Sequence, residues 1–288
     1  MERKSISKYL IINADDFGLD ENIDRGIAES FAAGLIKSAS LVPNGAAFGH
    51  ALNLANEHSV AIGIHLCLTA EKPVLSREGV KSLINEEGLL SKDCYSLICK
   101  IYGKKIKLSE IERELEAQIK KVLDSGIIPT HLDGHDYIHL IPPVFDIIIK
   151  LAVKYGIKWI RYPAITSRDI HCFSVSGCCK KMWLDIFSAG QIKNLSKSGV
   201  KFPDFSYGIM LSGRLNTDMM NVILQKIDSG ISDITCHPGY SPENKKYAAW
   251  RYSWQEEMSL LKSNDLKSRL DGLNIEVTNY GEISRGRI

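Results

Sequence analysis

Tyr9-Leu10-Ile11-Ile12-Asn13-Ala14-Asp15-Asp16-Phe17-Gly18 is the stretch from which the rest of the chain is read. Tyr9 to Ile12 reads as a buried strand, and Gly18 marks its exit. Two adjacent carboxylates stand where that strand stops. Like charges a few ångströms apart raise one another's pKa unless a cation or a proton lies between them. A metal bound by one Asp, with the other left as a base, resolves the conflict. An Asp-initiated turn explains an isolated Asp-Asp just as simply, so the weight falls on the histidines further along the chain.

Strand and helix patterns alternate downstream, which argues for βα units. Residues 20–34 repeat apolar side chains at helical spacing (Ile23, Ile27, Phe31) and close on Gly34. Residues 38–42 and 60–65 read as strands, with a helix at 46–57 between them. Residues 71–107 are long and mixed and read as an insertion or lid. Residues 109–125 form an amphipathic helix with Ser109 and Glu112 as a capping box. A strand over 127–133, a helix over 142–155 with Pro142 at its start, and a strand over 158–162 come next. Residues 165–215 read as irregular. A helix at 216–229, a strand at 231–236, a helix at 253–261 and a strand at 273–278 complete the pattern. One domain spanning residues 1–288, an irregular (β/α) barrel, is the economical architecture; a doubly wound open sheet is its competitor.

In such a barrel the functional groups gather at the C-terminal ends of the strands. That rule selects Asp15 and Asp16, His65, the run Thr130-His131-Leu132-Asp133-Gly134-His135 with His139 beyond it, Arg161 and His237. His131, Asp133 and His135 alternate, so in extended backbone they share a face. A single His is most often a packed residue. Three His and two Asp within nine residues point instead to a metal or proton-transfer site. Two His and one carboxylate leave positions open for water and substrate, as a catalytic site requires. Such donors suit Zn²⁺ and its transition-metal neighbours, and Mg²⁺ less well. Cys67 and Cys236 flank site residues and read as core.

The bulk properties narrow the function classes. A net charge of +2 over 288 residues gives no nucleic-acid footprint and no polybasic membrane patch. No apolar run approaches the ~20 residues that span a bilayer, and no secretory h-region follows Met1. Seven cysteines without a CxxC read as reduced thiols of a cytoplasmic protein. The dinucleotide fingerprint, the phosphate loop and the Gly-x-Ser-x-Gly elbow are absent. A homodimer is the base-rate expectation.

The motifs Asn13-Ala14-Asp15-Asp16-Phe17-Gly18, Gly63-Ile64-His65 with Leu68-Thr69, Thr130 to His135 with His139, and Cys236-His237-Pro238 resemble, in order and spacing, those of the YdjC-like carbohydrate deacetylases of the chito-oligosaccharide type. Gly134 stands where that family usually has Ser. The resemblance implies a polysaccharide-deacetylase-like barrel and a hydrolase that removes N-acetyl groups from amino sugars with one divalent ion, Mg²⁺ or Zn²⁺. It implies Asp16, His65 and His135 as ligands, with the choice between His131 and His135 open. Asp15 would be the base and His237 the acid. Arg161, His131 and Asp133 would bind substrate or, for the last two, support the ligands. Trp183, Trp250, Trp254, Tyr240 and Tyr247 are candidates for stacking on sugar rings. Two rivals remain: a metal-dependent hydrolase of other amides or of phosphoesters, and a non-catalytic, metal-stabilised sugar-binding protein.

Overall fold

The computed structural model describes residues 7–58, 60–162 and 175–286; of helix residues 175–185 and 189 only the backbone is described. Eight strands lie among these residues: β1 (Lys8–Phe17), β2 (Ser38–Leu41), β3 (Ala61–Leu66), β4 (His131–Gly134), β5 (Trp159–Ile160), β6 (Phe205–Tyr207), β7 (Gly230–Cys236) and β8 (Ile275–Thr278). All pair in parallel, in the order β5-β4-β3-β2-β1-β7-β6. β8 joins β1 along Lys8–Ile11, whereas β2 joins it from Asn13 onward. The sheet curls until a parallel bridge between Trp159 and Lys201 brings its two ends together. This is the irregular barrel expected from the alternating pattern.

The helices are α1 (Glu21–Ala32), α2 (Phe48–Glu57), α3 (Cys94–Tyr102), α4 (Leu108–Asp124), α5 (Pro142–Tyr155), α6 (Val175–Ser198), α7 (Thr217–Leu224), α8 (Lys245–Ala248), α9 (Trp254–Leu261), α10 (Asn264–Gly272) and α11 (Tyr280–Ser284). None is long and apolar enough to cross a membrane among the described residues. Alternation along β1 divides the core. Leu10, Ile12 and Ala14 face outward into one continuous apolar cluster with the helices. Ile11 faces inward, where it packs with Trp159 and Tyr280 as a separate plug. Above that plug the inward positions turn polar, and the site is built there.

Two expectations are corrected. The capping box at Ser109 is not formed: α4 starts at Leu108 after Lys107, with no side-chain cap bond. Glu112 instead reaches Lys150. Residues 165–215 are not irregular throughout, since α6 and β6 lie within them; residues 163–174 are outside the described set. Their frequent Ser, Gly and Cys hide the helix by breaking up any apolar stripe. Residues 71–107 contain α3 and are anchored to α4, whose buried Glu114 accepts the N–H groups of Val74 and Leu75 while Glu110 accepts that of Ser82.

Candidate active site

Alternation would send Asp15 and Asp16 to opposite faces of the sheet. Asp16 instead has φ 68°, and the pairing of β1 with β2 shifts between Ala14 and Phe17. Asp tolerates left-handed backbone better than most residues. The twist brings both carboxylates to one cavity. Gly18 N–H closes the turn by donating to the buried Asp24, 2.6 Å away.

His65 ends β3 opposite this turn. Its Nδ1 lies 2.8 Å from Asp133 Oδ1, so Nδ1–H donates to the carboxylate. Nε2 is left with its lone pair, 3.6 Å from Asp16 Oδ1. His135 Nδ1 lies 3.0 Å from the same oxygen. Asp16, His65 and His135 therefore offer donor atoms that all lie within 4.8 Å of one another and could hold a metal ion. Burial would raise the Asp16 pKa, but His135, His237 and His65 bring it down to about 2. Burial would lower His135, but Asp136 and Asp16 carry it up to about 9. The donor chemistry fits a divalent cation. A carboxylate that orients an imidazole by its far nitrogen is the usual support for a metal-binding His. Asp15, His65 and Asp133 also converge, but both Asp133 oxygens are already taken by hydrogen bonds, so this trio is a support and not a ligand set.

That support lies underneath. Ser40 donates to Asp133 Oδ2 at 2.7 Å, so its oxygen accepts from Asn13 Nδ2 at 2.9 Å and from His131 Nε2 at 3.0 Å. Asn13 also donates to Asp15 Oδ1 at 2.7 Å. Arg161 donates to Asp15 Oδ2 at 2.7 Å and pairs with Asp133 at 3.0 Å and Asp233 at 3.1 Å. Burial raises Asp233 to about 6 despite Arg161. Three buried carboxylates (Asp15, Asp133 and Asp233) thus share one guanidinium, and Asp16 lies beside them in the cavity, an excess of negative charge that also favours a cation there.

These contacts correct part of the expected site. Arg161, His131 and Asp133 are almost fully enclosed, at 1%, 0% and 0% exposure, and do not line the cavity that holds Asp15, Asp16, His65 and His135. His131 stacks on Tyr280 with centroids 4.1 Å apart and touches neither Asp16 nor the cavity. Its burial holds its pKa down at about 4. Nor do His131, Asp133 and His135 share one strand face: β4 stops at Gly134, and His135 opens a 3-10 turn with Asp136 and Tyr137 at positive φ. Two glycines have steric reasons. A Cβ at Gly63 would stand 2.2 Å from the His131 ring. At Gly134 it would stand 3.0 Å from His139 Nδ1, a tight contact that His139 would have to give way to accommodate.

His237, after β7, lines the same cavity of about 30 Å³ as Asp15, Asp16, His65 and His135. Gly213 N–H donates to its Nδ1 at 3.1 Å. Burial lowers its pKa, against the pull of Asp16 and Asp15.

The family model for the YdjC-like protein matches residues 9–272. The chain belongs to this family. A carbohydrate deacetylase of Geobacillus stearothermophilus is 31% identical over 281 residues, covering 96% of this chain and 98% of the relative. One of Clostridium beijerinckii is 29% identical over 280 residues, covering 95% and 99%. A crystal structure of an Enterococcus faecalis protein, described as a candidate cellobiose-phosphate cleavage protein, superposes with TM-score 0.73 at 26% identity, covering 96% of this chain and 99% of that one.

In this YdjC-like chain the aromatic wall differs from the expected set. Trp250 packs on His135 at 5.3 Å between centroids. Trp254 and Tyr247 are buried, and the Tyr247 hydroxyl bonds Glu71. Tyr240 bonds Glu29 at the surface, and the Trp183 side chain lies outside the described residues. Tyr252, 5.0 Å from His237, lines the cavity together with Tyr137, and neither was among the expected aromatics. Asn13, Ser40, Asp233 and Glu257 were missed too. Two left a signal: Asn13 alternates with Asp15, and Asp233 is a charge inside an otherwise buried strand. Cys67 and Cys236 are core residues, as expected.

Proposed function

We propose that the protein is a metal-dependent hydrolase that removes N-acetyl groups from acetylated amino sugars or chito-oligosaccharides and releases acetate. The observation that carries this reading is the convergence of Asp16, His65 and His135, with His65 oriented by Asp133, beside an independently held Asp15. The names of the relatives support carbohydrate deacetylation as the chemistry of such a site.

In this reading Asp16, His65 and His135 hold one divalent ion, Zn²⁺ or Mg²⁺, which supplies Lewis-acid polarisation of a carbonyl and acidification of a water. Asp15 takes a proton from the attacking water. Asn13 and Arg161 each donate to one of its oxygens, which fixes the orientation of the carboxylate. His237, across the cavity, gives a proton at Nε2 to the nitrogen that leaves as the amine. Without that proton the tetrahedral adduct would expel water instead. Tyr252 and Trp250 form the wall against which a sugar ring stacks. Residues 71–107 are tied through Glu71 to Lys246 and Tyr247. Phosphoester hydrolysis fits less well, because it favours free cationic side chains and Arg161 is committed to three carboxylates.

The test is acetate release from diacetylchitobiose and a panel of N-acetylated sugars, with and without chelator and with Zn²⁺ or Mg²⁺ restored. The reading expects chelator-sensitive release from at least one sugar. Release of phosphate from a sugar phosphate instead, or no hydrolysis with any metal bound, would contradict it.

A further inference from the structure

Glu257 is a fully buried carboxylate whose two oxygens are both taken by backbone N–H groups. Oε2 accepts from His237 N at 2.5 Å, and Oε1 accepts from Leu215 N at 2.9 Å. Burying an acid without a counter-charge is expensive, and the groups that offset the cost belong to the two segments that meet at the candidate acid: His237 itself and the turn at 213–215. That turn also sends Gly213 N–H to His237 Nδ1. It is pinned from the other side, since Ser253 N–H donates to Gly213 O at 2.7 Å and the Tyr252 ring lies where a Gly213 Cβ would be, 2.0 Å away. Glu257 stands in the first turn of α9, where the N-terminal helix dipole favours a negative charge.

We infer that Glu257 is a positioning residue for His237: by clamping His237 N–H and Leu215 N–H it holds Gly213 N–H on Nδ1. A backbone N–H can only donate, so Nδ1 must be an acceptor and the neutral ring carries its proton on Nε2. The clamp therefore fixes which nitrogen holds the proton that faces the cavity, and as that proton passes to the amine the one that Asp15 took from water returns to Nε2, so that the ring ends neutral. This role rests on the reading of His237 as the proton donor.

The test uses ¹⁵N-labelled full-length protein, with the His237 nitrogens assigned by comparison with His237→Gln. Wild type is expected to show the Nε2–H tautomer, with Nδ1 in its acceptor range. In Glu257→Gln the amide keeps one acceptor oxygen, so one N–H loses its partner. Its His237 resonances are expected to move, and kcat to fall about tenfold or more with KM little changed, within the ~10²–10⁴ that proton transfer contributes. An Nδ1–H tautomer in wild type overturns the inference without any variant. So does a folded Glu257→Gln protein with unchanged His237 resonances or unchanged kcat. If wild type releases no acetate from any sugar, the proposed activity fails while the tautomer measurement still decides the clamp.

Discussion

His65 Nδ1 and Asp133 Oδ1 are 2.8 Å apart, and this contact decides which face of the imidazole the cavity sees. Asp133→Asn replaces an anionic acceptor with a neutral one and weakens the preference for Nδ1–H. Removal of such a support costs about 10–100-fold in metal affinity. Titration of the metal-free variant with Zn²⁺, against wild type, measures it.

His131 and His135 separate in their effects. His135→Ala removes a proposed ligand beside Asp16, so the purified variant is expected to lose metal while keeping its fold. His131→Ala leaves a hole against Tyr280 and removes one of the three hydrogen bonds of Ser40, so it lowers stability by about 2–4 kcal/mol while metal still binds. Metal analysis and urea unfolding of both variants check the contrast.

Arg161→Met leaves Asp15, Asp133 and Asp233 buried without their shared cation. Breaking a buried pair in this way costs about 3–5 kcal/mol. The urea midpoint should fall accordingly. Lysine should restore only part of the loss, because a point charge cannot span three carboxylates as the guanidinium fork does.

Asp24, which accepts the Gly18 N–H below the Asp15-Asp16 turn, is pushed by burial from 3.8 to about 7, with His50 and the Gly18 N–H opposing. The folded state therefore holds this proton more tightly than the unfolded chain does. Its contribution is full below about pH 4 and is lost as pH rises through about 7. Between pH 5 and 8 wild type should lose about 2–3 kcal/mol more than Asp24→Asn. Unfolding free energies of the two proteins at both pH values give the difference.

The strand ends were legible because apolar runs and chemistry-bearing residues coincide at Asp15, His65 and His237. The parallel barrel followed from their alternation with helices. What escaped was set by backbone detail. No periodicity announces that Asp16 takes a positive φ, and without that turn the two carboxylates would face apart. The alternating run at 131–135 suggested one face, but the strand ends one residue before His135, which separates a ligand candidate from a buried support. Arg161 was found by position, but sequence places it at a strand end without revealing the three acids paired with it. Glu257 and Tyr252 reach the site from a segment after the last motif, through contacts distant in sequence.

The central claim is that Asp15 is the base beside a metal held by Asp16, His65 and His135. Its most direct test is Asp15→Asn, with metal content and acetate release measured on the same preparation as wild type. The account predicts wild-type metal occupancy and a fall in kcat of about 10²–10⁴. Full metal with undiminished acetate release would contradict it.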